Sequence, residues 1–129
     1  MDEVLNYFKK LETGIPSKTK QAIKDQIDVE VNRVFESMKN GTPRSSKEHT
    51  HLADTLEKTK IDDGLKYGYS LAYNGYNEFG VAYDLIARVL NRGKATMPGT
   101  HHIDSAVSLL KGIDARIELR VKMYLSEIK

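Results

Sequence analysis

The sequence predicts a small α+β domain: an antiparallel β-hairpin or sheet packed against a long N-terminal helix and a long C-terminal helix, with short helices between. Three observations point there. Leu65, Tyr67, Tyr69, Leu71 and Tyr73 are apolar at every second position, the period of a half-buried strand. From Ile23 to Met38 apolar residues recur at spacings of three and four, and a second stripe of that kind runs from Ile103 to Ile128. A chain of 129 residues carrying these elements suits one domain, 1–129, large enough for a core without staples.

The elements follow in order. Val4, Phe8 and Leu11, with Leu5 and Tyr7 beside them, mark a short helix stopped by Gly14-Ile15-Pro16. Ser17 is the expected N-cap of the next helix, whose stripe is Ile23, Ile27, Val31, Val34 and Met38. Asn40-Gly41, with Pro43 close behind, ends it after ~35 Å at the standard rise per residue. Thr42 to His51 is polar and aperiodic, an exposed loop, and Leu52 and Leu56 mark one or two helical turns. Lys58 to Gly64 reads as a charged connection closed by the turn Asp62-Asp63-Gly64.

After the tyrosine-rich strand, Asn74-Gly75 suits a tight hairpin with a returning strand at Tyr76 to Val81. A two-residue loop pairs Leu71 with Glu78 and Tyr69 with Gly80, whereas a three-residue loop pairs Leu71 with Phe79 and Tyr69 with Val81. Turn chemistry favours the first and burial the second; we take the second, because a one-residue slip turns every side chain to the wrong face. Leu85, Ile86, Val89 and Leu90 then mark a short helix ending at Asn91-Arg92-Gly93, followed by an exposed loop from Lys94 to Thr100. Ile103 to Ile128 reads as one continuous helix with Asp104 in its first turn. Gly112 costs it about 1 kcal/mol relative to alanine, which the periodicity on both sides is expected to outweigh.

Composition bounds the function. Lysine plus arginine exceed aspartate plus glutamate by only 20 to 18, too little to argue by itself for a nucleic-acid partner. There is no cysteine, hence no disulfide or thiolate metal site, and a reducing cytosol fits. No long apolar run or signal-peptide pattern is seen, so a soluble, non-exported chain without a membrane partner is expected.

No motif announces a reactive centre. His101, His102 and Asp104 with His49 and His51 offer zinc or iron donors, but no helical His-Glu-x-x-His pair fixes two on one face, and loop or capping histidines are the simpler reading. Ser105 and Ser108 lack a nucleophile elbow. Gly75, Gly80 and Gly93 form no nucleotide fingerprint. Tyr67, Tyr69, Tyr73, Tyr76 and Tyr83 suit a base-stacking sheet face, yet basic residues among them are sparse and a core is the better reading. Asp62, Asp63 and Glu78 read as solvated turn carboxylates. No enzyme activity, cofactor or metal is expected.

Thr42 to Leu56, TPRSSKEHTHLADTL, resembles the Thr-Pro, then Thr-Gly-x-Leu-x-x-Ser opening of the tail-component or neck proteins of long-tailed bacteriophages. Tyr83-Asp84-Leu85-Ile86-Ala87-Arg88-Val89-Leu90-Asn91-Arg92-Gly93 is similar to that family's tyrosine-led helix ending in Glu-Phe-Gly-Thr. Met97-Pro98-Gly99-Thr100-His101-His102-Ile103-Asp104-Ser105-Ala106 is similar to its Met-Pro-x-Arg-Pro-Phe-Leu-x-Pro-Ala signature. The resemblance runs from Thr42 to Ala106. It departs at Leu90 to Gly93, which replaces Glu-Phe-Gly, at the missing Arg-Pro-Phe, and at Thr50-His51 in place of Thr-Gly.

That resemblance implies a virion structural protein, made in the bacterial host cytoplasm, that forms a homo-oligomeric ring between the head-closure proteins and the tail of the same phage. It leaves open a neck protein or a tail terminator. The two polar loops are then the expected contact elements, with Arg44, Lys47, His49, Arg92, Lys94, Met97 and His101 as assembly contacts. No sequence-specific nucleic-acid partner is expected. The alternatives are a small nucleic-acid-binding or regulatory module and, further off, a histidine-dependent metalloenzyme.

Overall fold

The computed structural model describes residues 5–10, 16–44, 51–94 and 97–126. It is an α+β fold built around one helix. The first described element is strand β1, Leu5–Lys10, and the next is helix α1, Ser17–Gly41. A 3-10 turn at Leu52–Thr55 leads into strand β2, Leu56–Asp62, and strand β3, Lys66–Tyr73. Helix α2, Tyr83–Arg92, is followed by a two-residue ladder of β4, Gly93–Lys94, with β5, Met97–Pro98. Helices α3, His102–Ser108, and α4, Ile113–Ser126, complete it.

All five stripe residues expected of α1 are buried, and Ala22 joins them. They meet Tyr67, Leu71 and Tyr73 of β3 on one side and Ile103, Ala106, Ile113 and Ile117 of α3 and α4 on the other, in a single apolar cluster. The helix is amphipathic twice over because it is covered by a sheet and by a helical layer. It starts one residue earlier than expected: Pro16 occupies the N-cap position, Ser17 is the first helical residue, and no side chain caps it. At the far end Thr42 donates its hydroxyl to the Met38 carbonyl at 2.6 Å and shares a 2.8 Å bond with the Tyr73 phenol, tying helix to sheet.

The sheet corrects three expectations. Its order is β1-β3-β2, all antiparallel, with Leu5 opposite Leu71 and Leu56 opposite Tyr73. Residues 5–10, expected to be helical, form an edge strand; Leu5 and Tyr7 satisfy period two as well as Phe8 and Leu11 satisfy the helical period, and short apolar runs do not separate the two. Lys58 to Asp62, expected to be a connection, lies in the other edge strand. Lysines on an edge strand blunt its open hydrogen-bonding edge, and they also hide its period.

The returning strand at Tyr76 to Val81 is absent, and neither expected register occurs. Because β3 is paired on both sides, it has no edge left to accept one. Residues 76–82 instead close on themselves through a single Tyr76–Ala82 bridge, with the Asn77 carboxamide accepting from the amides of Phe79 and Val81 at 2.9 Å each. The Asp62-Asp63-Gly64 turn does form, as the β2–β3 connection; the Asp63 carboxylate accepts from the Leu65 and Lys66 amides and sits below the ordinary carboxylate range because of those bonds.

The terminal helix is also divided. Gly112, at φ +79°, ends the turn that separates α3 from α4, contrary to the expectation of one rod. The carbonyls freed by this break are taken up by Arg116, which donates to Leu109 O at 2.9 Å and Lys111 O at 2.7 Å. The same guanidinium reaches Glu30 of α1, and with it begins a polar seam between α1 and α4. Glu30 is 1% exposed and accepts from both Arg116 and Gln26. Arg120 donates to Gln26 at 2.6 Å, and Tyr124 to Asp25 at 2.5 Å. Burial alone raises the Glu30 pKa, but the bonds from Arg116 and Gln26 and the charges of Arg116 and Arg33 outweigh it, and the net shift is downward.

Candidate assembly surface

The segments Tyr83 to Gly93 and Met97 to Ala106 fold against each other as one clasped unit. Thr100 N donates to Leu90 O at 2.9 Å and His101 N to Asn91 O at 3.0 Å, so the end of α2 is capped by the chain that returns past it. The Asn91 carboxamide oxygen accepts from Ile103 N at 2.8 Å and Asp104 N at 3.2 Å, capping the start of α3 from a neighbouring helix. Asparagine suits this place because its short amide accepts here while its nitrogen donates to Asp104.

Two glycines close the clasp. A Cβ on Gly93 would stand 2.4 Å from Gly99 N, and Gly93 also holds φ +83°. A Cβ on Gly99 would stand 2.5 Å from Asn91 O. Only backbone fits between these two strands of the ribbon.

The ribbon presents four of the seven expected contacts together: Arg92, Lys94, Met97 and His101 are all exposed on or beside β4 and β5. His101 holds a left-handed backbone at φ 52° and places Nδ1 3.5 Å from the Asp104 carboxylate. Arg44 is brought elsewhere, into an exposed pair with Asp54 at 2.8 Å. The Arg44 hydrogen bond holds Asp54 below the usual carboxylate range. Lys47 and His49 lie outside the described residues.

Among the described residues the histidines join no metal-holding group. His102 is buried, with Nδ1 bonded to the Thr100 hydroxyl and its ring edge-on to Tyr73 at 6.2 Å between centroids. Its Nε2 has no hydrogen-bond partner among the described residues. Burial lowers its pKa against the opposing pull of Asp104. No group of three or more His, Cys, Asp or Glu side chains is placed to hold a metal among the described residues, and no described helix is long and apolar enough to cross a membrane.

The tyrosines divide. Tyr67 and Tyr73 are buried, and the phenols of Tyr67 and Tyr69 both donate to Asp28 of α1, so these rings belong to the helix–sheet contact. Burial and the Asp28 bond push the Tyr67 phenol pKa upward. Tyr76 is instead 71% exposed, beside Phe79 at 81%.

Sequence reasoning missed this second kind of surface. Within α2 only Ala87 is fully buried; Leu85 is 41% exposed and Ile86, Val89 and Leu90 are half-buried, although their spacing reads as a core stripe. Val81, Leu85 and Met97 help line a shallow apolar groove of about 280 Å³ on this face. Next to it, a cleft of about 500 Å³ between α2 and α3 is lined by Arg88, Asn91, Arg92 and Asp104 among others. The outer side of α4 carries Leu119 and Met123, 61% and 54% exposed. Spacing alone marks such stripes as buried, and does not tell a monomer core from a face covered by another subunit.

Compared with protein-family models, curated proteins and solved structures, the chain matches none.

Proposed function

We propose that this chain is a structural component of the head–tail connection of a long-tailed bacteriophage, a neck or tail-completion protein that assembles as a ring between head-closure proteins and tail. The observation that carries the reading is the clasp. The two segments that resemble the tail-component signatures, consecutive in the chain, fold back on each other into one unit held by backbone bonds, Asn91 and the Gly93–Gly99 contact. Arg92, Lys94, Met97 and His101 are thereby left outward on or beside the ribbon, which is what a contact element requires. The ordered sequence of long helix, sheet, short helix, ribbon and closing helix is compatible with the same role.

In this reading the ribbon touches the neighbouring protein of the head–tail axis, and the ring forms from unlike surfaces on adjacent copies. Arg92→Glu with Lys94→Glu tests it. Both side chains are exposed, so circular dichroism and the melting midpoint should stay near those of the parent. Electron microscopy of lysates carrying the variant should show filled heads and free tails accumulating unjoined. Normal joining by a folded variant would remove the proposal.

A further inference from the structure

We infer, independently of the ring reading, that Asn74 is a site of spontaneous covalent modification, deamidation through a succinimide formed with Gly75, and that the fold directs this reaction to Asn74 and away from Asn40.

Among the asparagines, only Asn40 and Asn74 precede a glycine. That pairing is the labile one, because a following residue without a Cβ leaves its amide nitrogen unhindered and free to turn towards the asparagine side chain. The two pairs have different surroundings.

Gly41 closes α1, so its N–H belongs to the helical ladder and the backbone of Asn40 is held helical. Thr42 anchors that end through Met38 O and the Tyr73 phenol, and a Cβ on Gly41 would stand 2.9 Å from the His102 Cβ. Reaction at Asn40 therefore waits on opening of the helix end. Asn74 and Gly75 lie just past β3, both exposed, with Gly75 at φ +93°. Asn74 N donates to Thr55 O at 2.9 Å and Tyr83 N to Gly75 O at 3.0 Å, but the Gly75 amide has no acceptor among the described residues.

In the reaction the Gly75 nitrogen attacks Cγ of Asn74, forming a C–N bond and a five-membered ring. The Cγ–Nδ2 bond breaks, and ammonia leaves with the proton given up by the Gly75 nitrogen. Water then opens the ring, returning a proton to that nitrogen. Attack of water at Cγ gives aspartate; attack at the main-chain carbonyl gives isoaspartate, in which the main chain runs through Cγ.

Both products disturb what Asn74 holds. Its Nδ2 donates to the Glu57 carboxylate and ties the loop to β2, whereas aspartate sets a second carboxylate against the first. Isoaspartate adds one carbon to the main chain between the anchors at Thr55 and Tyr83, and Tyr83 begins α2.

Peptide mapping of the folded protein aged in warm, mildly alkaline buffer tests this, with isoaspartate counted by methyl transfer from a protein-isoaspartate methyltransferase. Isoaspartate should collect at position 74 about tenfold faster than at position 40, the factor that a helix-end opening of about 1.4 kcal/mol imposes. In urea the two rates should draw together, and Asn74→Gln should remove most of the signal from the folded protein. Hydrogen exchange on the isoaspartate-bearing fraction should show the Tyr83 amide losing protection while α1 keeps its own. Equal rates at the two sites in the folded protein, a preference unchanged in urea, or no modification of Asn74 would overturn the inference. Undiminished protection at Tyr83 would overturn its structural consequence.

Discussion

The α1–α4 seam and the α2–ribbon–α3 unit hold helices together by opposite means. In the seam, side chains do the binding: Glu30, Gln26 and Asp25 on one helix meet Arg116, Arg120 and Tyr124 on the other, and the charged hub is buried. In the ribbon unit the backbone does most of it, with glycines in contact and carbonyls capped by amides beside the Asn91 carboxamide, and Arg92, Lys94, Met97 and His101 are left outward. The difference separates two jobs. A region that binds through its side chains is a structural joint, whereas one held by its backbone can vary its outward residues without losing shape, which suits contact with other proteins.

Breaking the seam should have the largest effect. Glu30→Ala removes an acceptor bonded to Arg116 and Gln26, and losing one member of a buried ion pair costs about 3 kcal/mol, seen as a lower denaturant midpoint. The acid limb gives a sharper check. Because the folded Glu30 pKa is depressed below its ordinary 4.5, the unfolded chain binds the extra proton first; the stabilisation is present above that value and is lost as pH falls through the folded pKa. Glu30→Gln should flatten that limb in melts run from pH 5 to pH 2.

The clasp should answer to backbone changes. Gly93→Ala forces a Cβ against Gly99 at a positive φ, and such strain costs about 2 kcal/mol. Hydrogen exchange should show the amides of Thr100 and His101 losing protection while those of α1 keep theirs. Equal loss in both regions would erase the distinction between them.

The smallest effect belongs to His102, at the junction of the clasp with Tyr73. Its folded pKa lies below the ordinary 6.5, so the folded state resists protonation; stability is full above that value and declines as pH falls below it, levelling off under the folded pKa. Asp104 opposes the shift from the same helix. Thermal melts between pH 7 and pH 5 should show a gentle decline in the parent that His102→Gln reduces.

The stripe of α1 was legible because every residue in it is buried by neighbours within the chain. Period and burial agreed there. They disagreed in β2, where Lys58 and Lys60 occupy the face that α1 covers in β3, their ammonium groups lying 5.5 Å from the Phe35 ring and 5.2 Å from the Tyr67 ring. The β3 period was legible, but its partners were not: the lysines of β2 hid the neighbouring strand, and β1 lies far off in sequence. Gly112 was read as a tolerated cost because nothing local signals that Arg116 would satisfy the broken turn. The candidate surface was half legible. The polarity of Arg92 and Lys94 marked the ribbon as exposed, while the apolar face of α2 looked like core until its lack of cover was seen.

The central proposal concerns where the chain resides. Mass spectrometry of purified tailed particles produced by the genome that encodes it tests this most directly. The account predicts that the chain is present in a fixed, multiple copy number in every joined particle. Intact, joined particles that lack it would contradict the account.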